Sequence, residues 1–348
     1  MKIAPLYHAL QKTDWADPVV VHTGQHYDLN MSDVFFQDLG LPAPHLHLGV
    51  GSGSHAQQTG KVMMAYEAIL REQQPDLVVV VGDVNSTMAA TLAAVKLGIR
   101  VAHLEAGLRS FDRGMPEEIN RLVTDAVADI LWTPSPDADR NLAREGVAEE
   151  KVIRVGNIMI DSLEMLRSRI ESEATFTEWG LPDAGYGLIT LHRPANVDDP
   201  EKLKKLCDLL IAVSRQKPIL FPVHPRTRKN LEAFGLMDML APESSISLTE
   251  PQSYIRFMSL VFHCGFAITD SGGIQEETTY LGIPCMTLRP NTERPVTVEQ
   301  GTNRLFSIES LKEEVETYGF FAFQRRAITI DLWDGKTADR VVESIRAV

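Results

Sequence analysis

Short apolar runs alternate with amphipathic stretches almost from one end of this chain to the other, and that rhythm restricts the fold more than anything else. Parallel strands buried on both faces read as continuous aliphatic runs, and each must be joined to the next by a long crossover, so the pattern predicts β-α-β units. Runs at 19–22, 77–82, 101–104, 130–133 and 152–155 form one set; after a charged helical stretch near 161–174, runs at 187–190, 219–223, 246–248, 267–269 and 285–288 form another. Two sets of about five strands predict an α/β protein of two doubly wound, Rossmann-like domains facing across a cleft, with ligands beyond the carboxyl ends of the strands. The 348 residues suit two domains at about 150 residues each. The expected division is 1–165, an N-terminal domain carrying acidic catalytic candidates, 166–330, a second domain carrying an anion site, and 331–348, a C-terminal helix packing back on the first domain.

Composition excludes several classes of function. Lys plus Arg total 34 against 47 for Asp plus Glu, a net charge of -13, so the surface as a whole repels nucleic acid and anionic lipid. No aliphatic run approaches the ~20 residues of a membrane span. The first residues carry one positive charge and no apolar core of a secretory signal, so the cytoplasm is the expected location. Cys207, Cys264 and Cys285 stand without a C-x-x-C pair and read as small core residues, and no H-x-x-x-H pair offers a metal site.

The sharpest segment is Ile268-Thr269-Asp270-Ser271-Gly272-Gly273-Ile274-Gln275-Glu276-Glu277, a strand turning through Ser-Gly-Gly into a helix. Small residues let backbone N–H groups approach a ligand, and a helix N-terminus favours an anion, so Ser271, Gly272 and Gly273 are read as a phosphate site. The bland alternative is a serine cap and a glycine turn. Glu276 and Glu277 lie one turn on, where an acid can accept from a ribose. Arg289 and Arg294 stand in a proline-punctuated loop after the next strand, and His192 and the His224-Pro225-Arg226 segment follow two other strands. In the first domain Asp83 ends one strand and Glu105 the next, while Glu117 and Glu118 open a helix after Pro116 with Arg121 four residues on. Acids at successive strand ends are candidates for general acid and base; at Glu117 and Glu118 an ordinary acidic helix start is the competing reading.

Together these segments resemble the non-hydrolysing UDP-N-acetylglucosamine 2-epimerases. The match runs through Thr23-Gly24-Gln25-His26, Gly82-Asp83, His103-Leu104-Glu105-Ala106-Gly107-Leu108-Arg109, Pro116-Glu117-Glu118-Ile119-Asn120-Arg121, Val155-Gly156-Asn157, His192-Arg193, the Thr269 to Glu277 stretch, Thr292-Glu293-Arg294-Pro295 and Gly301-Thr302-Asn303-Arg304. The resemblance implies a glycosyltransferase-B-like pair of domains, a homodimer, a UDP-sugar as the small-molecule partner, neither nucleic acid nor membrane as a partner, no cofactor or metal, and a place in cell-surface polysaccharide biosynthesis. It implies that Ser271 and Gly272 meet the diphosphate, Glu277 the ribose and the segment around Phe257 the uracil, with His192 and Arg294 supporting the phosphates. Asp83, Glu105 and Glu117 match the family's catalytic carboxylates, His192 is placed with them, and Gln25, Gly273 and Arg226 complete the candidate substrate contacts. The implied reaction inverts C2 of the sugar through loss of UDP to 2-acetamidoglucal and re-addition.

Some features depart from the family. Residues 1–12 read as an amphipathic helix with no strand before it, so the first strand of the N-terminal domain and its Gly-Thr-Arg-Pro-Glu-like loop are expected to be missing. His192-Arg193-Pro194-Ala195-Asn196 replaces a common His-Arg-Arg-Glu-Asn, and Asp28 replaces a glutamine. The substitutions keep open a related UDP-diacetamido uronic acid as substrate, and the missing strand a non-catalytic nucleotide-sugar binder; a second enzymatic reading is a hydrolysing epimerase that releases N-acetylmannosamine and UDP.

Overall fold

The computed structural model describes residues 1–24, 36, 38–240, 245–319 and 324–347; Gln25, like His26 and Asp28, lies outside them. The chain divides into two compact units, Met1–Met165 with Asp331–Val348, and Leu166–Ile330.

In the first unit, β1 (Val21–His22) pairs in parallel with β2 (Leu46–His47), and β3 (Leu77–Val81), β4 (Arg100–Leu104), β5 (Ile130–Thr133) and β6 (Val152–Arg154) form a parallel sheet in sequence order. The period of two along each strand sends alternate residues to opposite cores. Val78, Val80, Val101 and Leu131 join Leu70, Ala93 and Leu142 on one face. Leu77, Val79, Val81, Ala102, Leu104, Ile130 and Trp132 join Leu6, Ala9, Ala338 and Val341 on the other. That second face is covered by the Ile3–Leu10 and Thr337–Arg346 helices, and Trp132 Nε1 donates to Ser344 Oγ at 2.9 Å.

In the second unit, β7 (Gly187–Thr190), β8 (Ile219–Pro222), β9 (Ile246–Thr249), β10 (Phe266–Thr269), β11 (Cys285–Thr287) and β12 (Asn303–Leu305) form a six-stranded parallel sheet of order β12-β11-β10-β7-β8-β9. The chain moves outward from β7 in one direction and from β10 in the other, so the topological switch point lies between these neighbours, where open α/β sheets hold their ligands.

The expectation of about five strands in each set is corrected on both sides: the first unit holds a four-stranded sheet and a separate pair, the second a six-stranded sheet. β2 and β12 escaped the pattern because they are two and three residues long, with one and two polar residues, too short to show a period. The helix read near 161–174 begins earlier, at Ile158. All three cysteines are buried.

Candidate active site

At the switch point the ends of β7 and β10 are tied by Thr190 Oγ1 and Thr269 Oγ1, 2.6 Å apart. One residue on, Asp270 is wholly buried and gathers the turn after β7 onto the turn after β10. Its carboxylate accepts from the His192 N–H (3.1 Å to each oxygen), the Arg193 N–H (2.9 Å) and Asn196 Nδ2 (3.1 Å), and His192 Nδ1 lies 3.1 Å from Oδ1. Burial would raise the Asp270 carboxyl, but His192 and these donors hold it below the usual carboxylate range. His192 is thereby oriented from beneath, with the His224 ring 5.3 Å away.

Ser271 stands at the N-cap of the Gly272–Tyr280 helix with extended backbone, yet its side chain makes no capping bond; its N–H donates to Thr269 Oγ1 at 2.9 Å. The serine-cap alternative is therefore not what the structure shows, and the first-turn N–H groups, which have no partner inside a helix, are left without a cap from Ser271. A Cβ on Gly272 would fall 2.6 Å from Arg294 Nη1 and 2.7 Å from Glu293 Oε1, so this helix start and the arginine loop pack closer than a side chain permits; Gly273 meets nothing within 4 Å. Arg294 is clamped by Glu293 and by Glu276, whose Oε2 lies 2.8 Å from its Nε, and Arg289 Nη2 reaches Glu293 at 2.8 Å. Against burial, the Arg294 and Arg289 guanidinium groups hold the Glu293 carboxyl far below its ordinary range.

Glu277 is buried and receives the Tyr254 hydroxyl at 3.1 Å. Burial, assisted by the neighbouring Glu276 charge, pushes its carboxyl up to about 8 although the Tyr254 bond pulls the other way. Phe257, half-buried, lies three residues beyond Tyr254 on the same helix, Tyr254–His263. Arg226 forks onto Asp198 at 2.7 and 2.5 Å and so meets a carboxylate of its own unit.

In the first unit, Asp83 and Glu105 follow the adjacent strands β3 and β4. Gly82 turns the chain at φ 72°, and Asp83 is paired with Arg121, which also reaches Glu118 at 2.6 Å. Glu105 is 5% exposed and holds φ 76°, a left-handed backbone that non-glycine residues rarely adopt. The Trp132 carbonyl fixes that turn by accepting from the N–H groups of Glu105 and Ala106 at 3.1 and 3.0 Å. One Glu105 oxygen contacts Lys2 Nζ, and the other is buried without a hydrogen-bond partner among the described residues. Backbone strain and an unsatisfied buried carboxylate oxygen thus coincide at the end of this strand.

The two acids after Pro116 divide. Glu118 works inside the protein, accepting from Ser110 N (2.9 Å), Ser110 Oγ (3.0 Å), Phe111 N (2.9 Å) and Arg121. Glu117 is half-buried, with no ion pair or hydrogen bond among the described residues. Lys2, Asp270 and the buried His103 escaped the sequence reading as site residues. Asp270 could have been suspected as an acid ending a wholly apolar strand, whereas nothing local marks Lys2, whose partner is 103 residues away.

Two Rossmann-like units, one with a glycine-rich helix start at its switch point and the other with acids at adjacent strand ends, place the chain in the glycosyltransferase-B-like class. Within it, the family model for UDP-N-acetylglucosamine 2-epimerase matches residues 8–346, and the chain belongs to that family. It is 42% identical over 349 residues to UDP-N-acetylglucosamine 2-epimerase of Methanocaldococcus jannaschii, covering 98% of this chain and 94% of that one. The crystal structure of the M. jannaschii enzyme in complex with UDP-GlcNAc and UDP superposes with a TM-score of 0.89 at 42% identity, covering 100% of this chain and 96% of that chain. UDP-2,3-diacetamido-2,3-dideoxy-D-glucuronate 2-epimerase of Pseudomonas aeruginosa is 39% identical over 308 residues, 88% of this chain and 84% of that one.

Proposed function

We propose that this chain is a UDP-N-acetylglucosamine 2-epimerase, an isomerase interconverting UDP-N-acetylglucosamine and UDP-N-acetylmannosamine. The observation that carries the reading from chemistry is Glu105: a buried, strained carboxylate with an unsatisfied oxygen, one strand from Asp83, in a chain that shares the epimerase family along nearly its full length.

A C2 hydrogen beside an acetamido group is weakly acidic, so its removal needs a positioned carboxylate, and Asp83, Glu105 and Glu117 are the groups for that work. The base takes the C2 proton as the C1–O bond breaks; the electron pair leaves with UDP, and 2-acetamidoglucal remains. The reverse sequence on the other face delivers a proton to C2 and rejoins UDP at C1. The negative charge gathered by the departing diphosphate is met by the first-turn N–H groups at Gly272 and Gly273 and by the Ser271 hydroxyl, which is not spent on capping the helix, with His192 and Arg294 in support. Phe257 and Glu277 take the uracil and ribose, and Gln25 and Arg226 complete the substrate contacts. The protein works as a cytoplasmic homodimer that supplies polysaccharide synthesis; light scattering at micromolar concentration checks the assembly.

A second substrate, the UDP-diacetamido uronic acid sugar, is favoured by the 39% identity to the P. aeruginosa enzyme together with His192-Arg193-Pro194-Ala195-Asn196. Incubation in deuterated water with each sugar in turn tests both: the epimer formed should carry deuterium at C2. Absence of exchange with either sugar overturns the proposal, and free N-acetylmannosamine in place of the UDP-linked epimer would turn it into a hydrolase.

A further inference from the structure

His103 lies on β4, fully buried, in register with Val80 of β3 and Leu131 of β5. Its two ring nitrogens face two acceptors: Nε2 is 2.8 Å from the Gly82 carbonyl and Nδ1 is 2.6 Å from Asp125 Oδ1. A carbonyl oxygen only accepts, so Nε2 carries a hydrogen. Asp125 already receives the Gly107 N–H at 3.0 Å and Arg109 Nη1 at 2.7 Å on its other oxygen, which keeps it ionised and leaves the second proton on Nδ1. Arg109 is itself held by Glu145 at 2.8 and 2.6 Å, so a row of alternating charges, His103, Asp125, Arg109 and Glu145, runs under the carboxyl edge of the sheet. Burial opposes the His103 charge, yet Asp125, the Gly82 carbonyl and the nearby Glu105, the acid that Lys2 also touches, raise its pKa above the ordinary value.

The contacts at either end of this row matter most. Gly82 precedes Asp83, and Gly107 closes the turn that Glu105 opens at positive φ. We propose that His103 is a positioning residue for the epimerase reaction: a charged, buried imidazolium that fixes the turn at 82–83 directly and the turn at 105–107 through Asp125, so that the two candidate acid–base carboxylates are held in one arrangement. The proposal rests on the reading of Asp83 and Glu105 as that pair; the charge of the ring does not.

The test has two arms. In histidine-labelled native enzyme, nitrogen NMR at neutral pH should show both His103 ring nitrogens protonated, where an ordinary histidine is largely neutral. A neutral tautomer at that pH overturns the proposal. In the second arm, His103→Gln, which supplies no charge and cannot span both acceptors, should lower kcat by on the order of 100-fold with KM unchanged, the signature of misplaced reacting groups. Wild-type kcat, or a loss confined to KM, overturns it; if the variant does not fold, the native spectrum decides. A native enzyme inert toward both UDP-sugars would sink the epimerase reading instead, because the spectrum is taken without substrate.

Discussion

Replacing Asp270 by asparagine keeps the shape of the side chain and changes only what its atoms offer. The carboxylate accepts from three donors on the turn after β7, the His192 N–H, the Arg193 N–H and Asn196 Nδ2, and lies against His192 Nδ1 as well. An asparagine can turn its one oxygen toward His192, which leaves its amide facing the Arg193 N–H and Asn196 Nδ2, donor against donor. Asn196 cannot resolve the conflict by flipping, because Nδ2 also donates to the Leu288 carbonyl at 3.0 Å. Two part-buried donors stranded at about 1–2 kcal/mol each give a loss of about 2–4 kcal/mol, a large fraction of ordinary domain stability. For a unit of this size that is a fall of about 4–16 °C in Tm, at 2–4 °C per kcal/mol. Calorimetry on the variant measures it, and a UDP titration should show weaker binding, since the turn carrying His192 loses its anchor. The deficit must also shrink in acid: the Asp270 carboxyl is depressed in the fold, so its stabilisation is complete above the unfolded value and is lost as pH falls through the folded one. A Tm within a degree of wild type at neutral pH, with unchanged UDP affinity, refutes the reasoning.

Glu277 should behave in the opposite sense. Its carboxyl is raised to about 8 by burial, so the unfolded chain releases this proton first and stability declines with rising pH between about 4.5 and about 8; Glu277→Gln should unfold at higher denaturant than wild type at pH 8 and show little difference at pH 5. Gly272→Ala should weaken UDP binding by about tenfold and destabilise the second unit by about 1–3 kcal/mol, because the added methyl must displace the buried Arg294 and Glu293 side chains at 2.6 and 2.7 Å; calorimetric titration and thermal unfolding read the two changes. Glu118→Gln should destabilise the first unit by about 1–3 kcal/mol in urea, since a carboxylate held below its usual pKa by the Ser110 N–H and Arg121 loses its charge, and the difference from wild type should fade as acid protonates the native carboxyl.

The strand rhythm was legible because burial on both faces of a parallel sheet leaves an aliphatic run whatever the strand's neighbours. Chemical candidates were legible where an acid or a small-residue turn follows such a run: Asp83 and Glu105 after β3 and β4, and the Ser271-Gly272-Gly273 turn after β10, although Asp270 in that same turn was missed. Adjacent acids could not be told apart. Glu117 and Glu118 share a helix start, and only the loop at Ser110 and Phe111, folded back onto Glu118, assigns that residue an internal role.

The sequence by itself therefore determined the α/β class, the position of most strands and the family, all of which rest on local periodicity and ordered short motifs. Tertiary structure alone decided strand order, which places the switch point between β7 and β10, and the long-range pairs that orient the site. Asp270 meets His192 across 78 residues, His103 meets Asp125 across 22, and Lys2 meets Glu105 across 103. Such pairs leave no local trace, because a buried polar group is satisfied by whichever donor the packed sheet brings to it, wherever that donor lies along the chain.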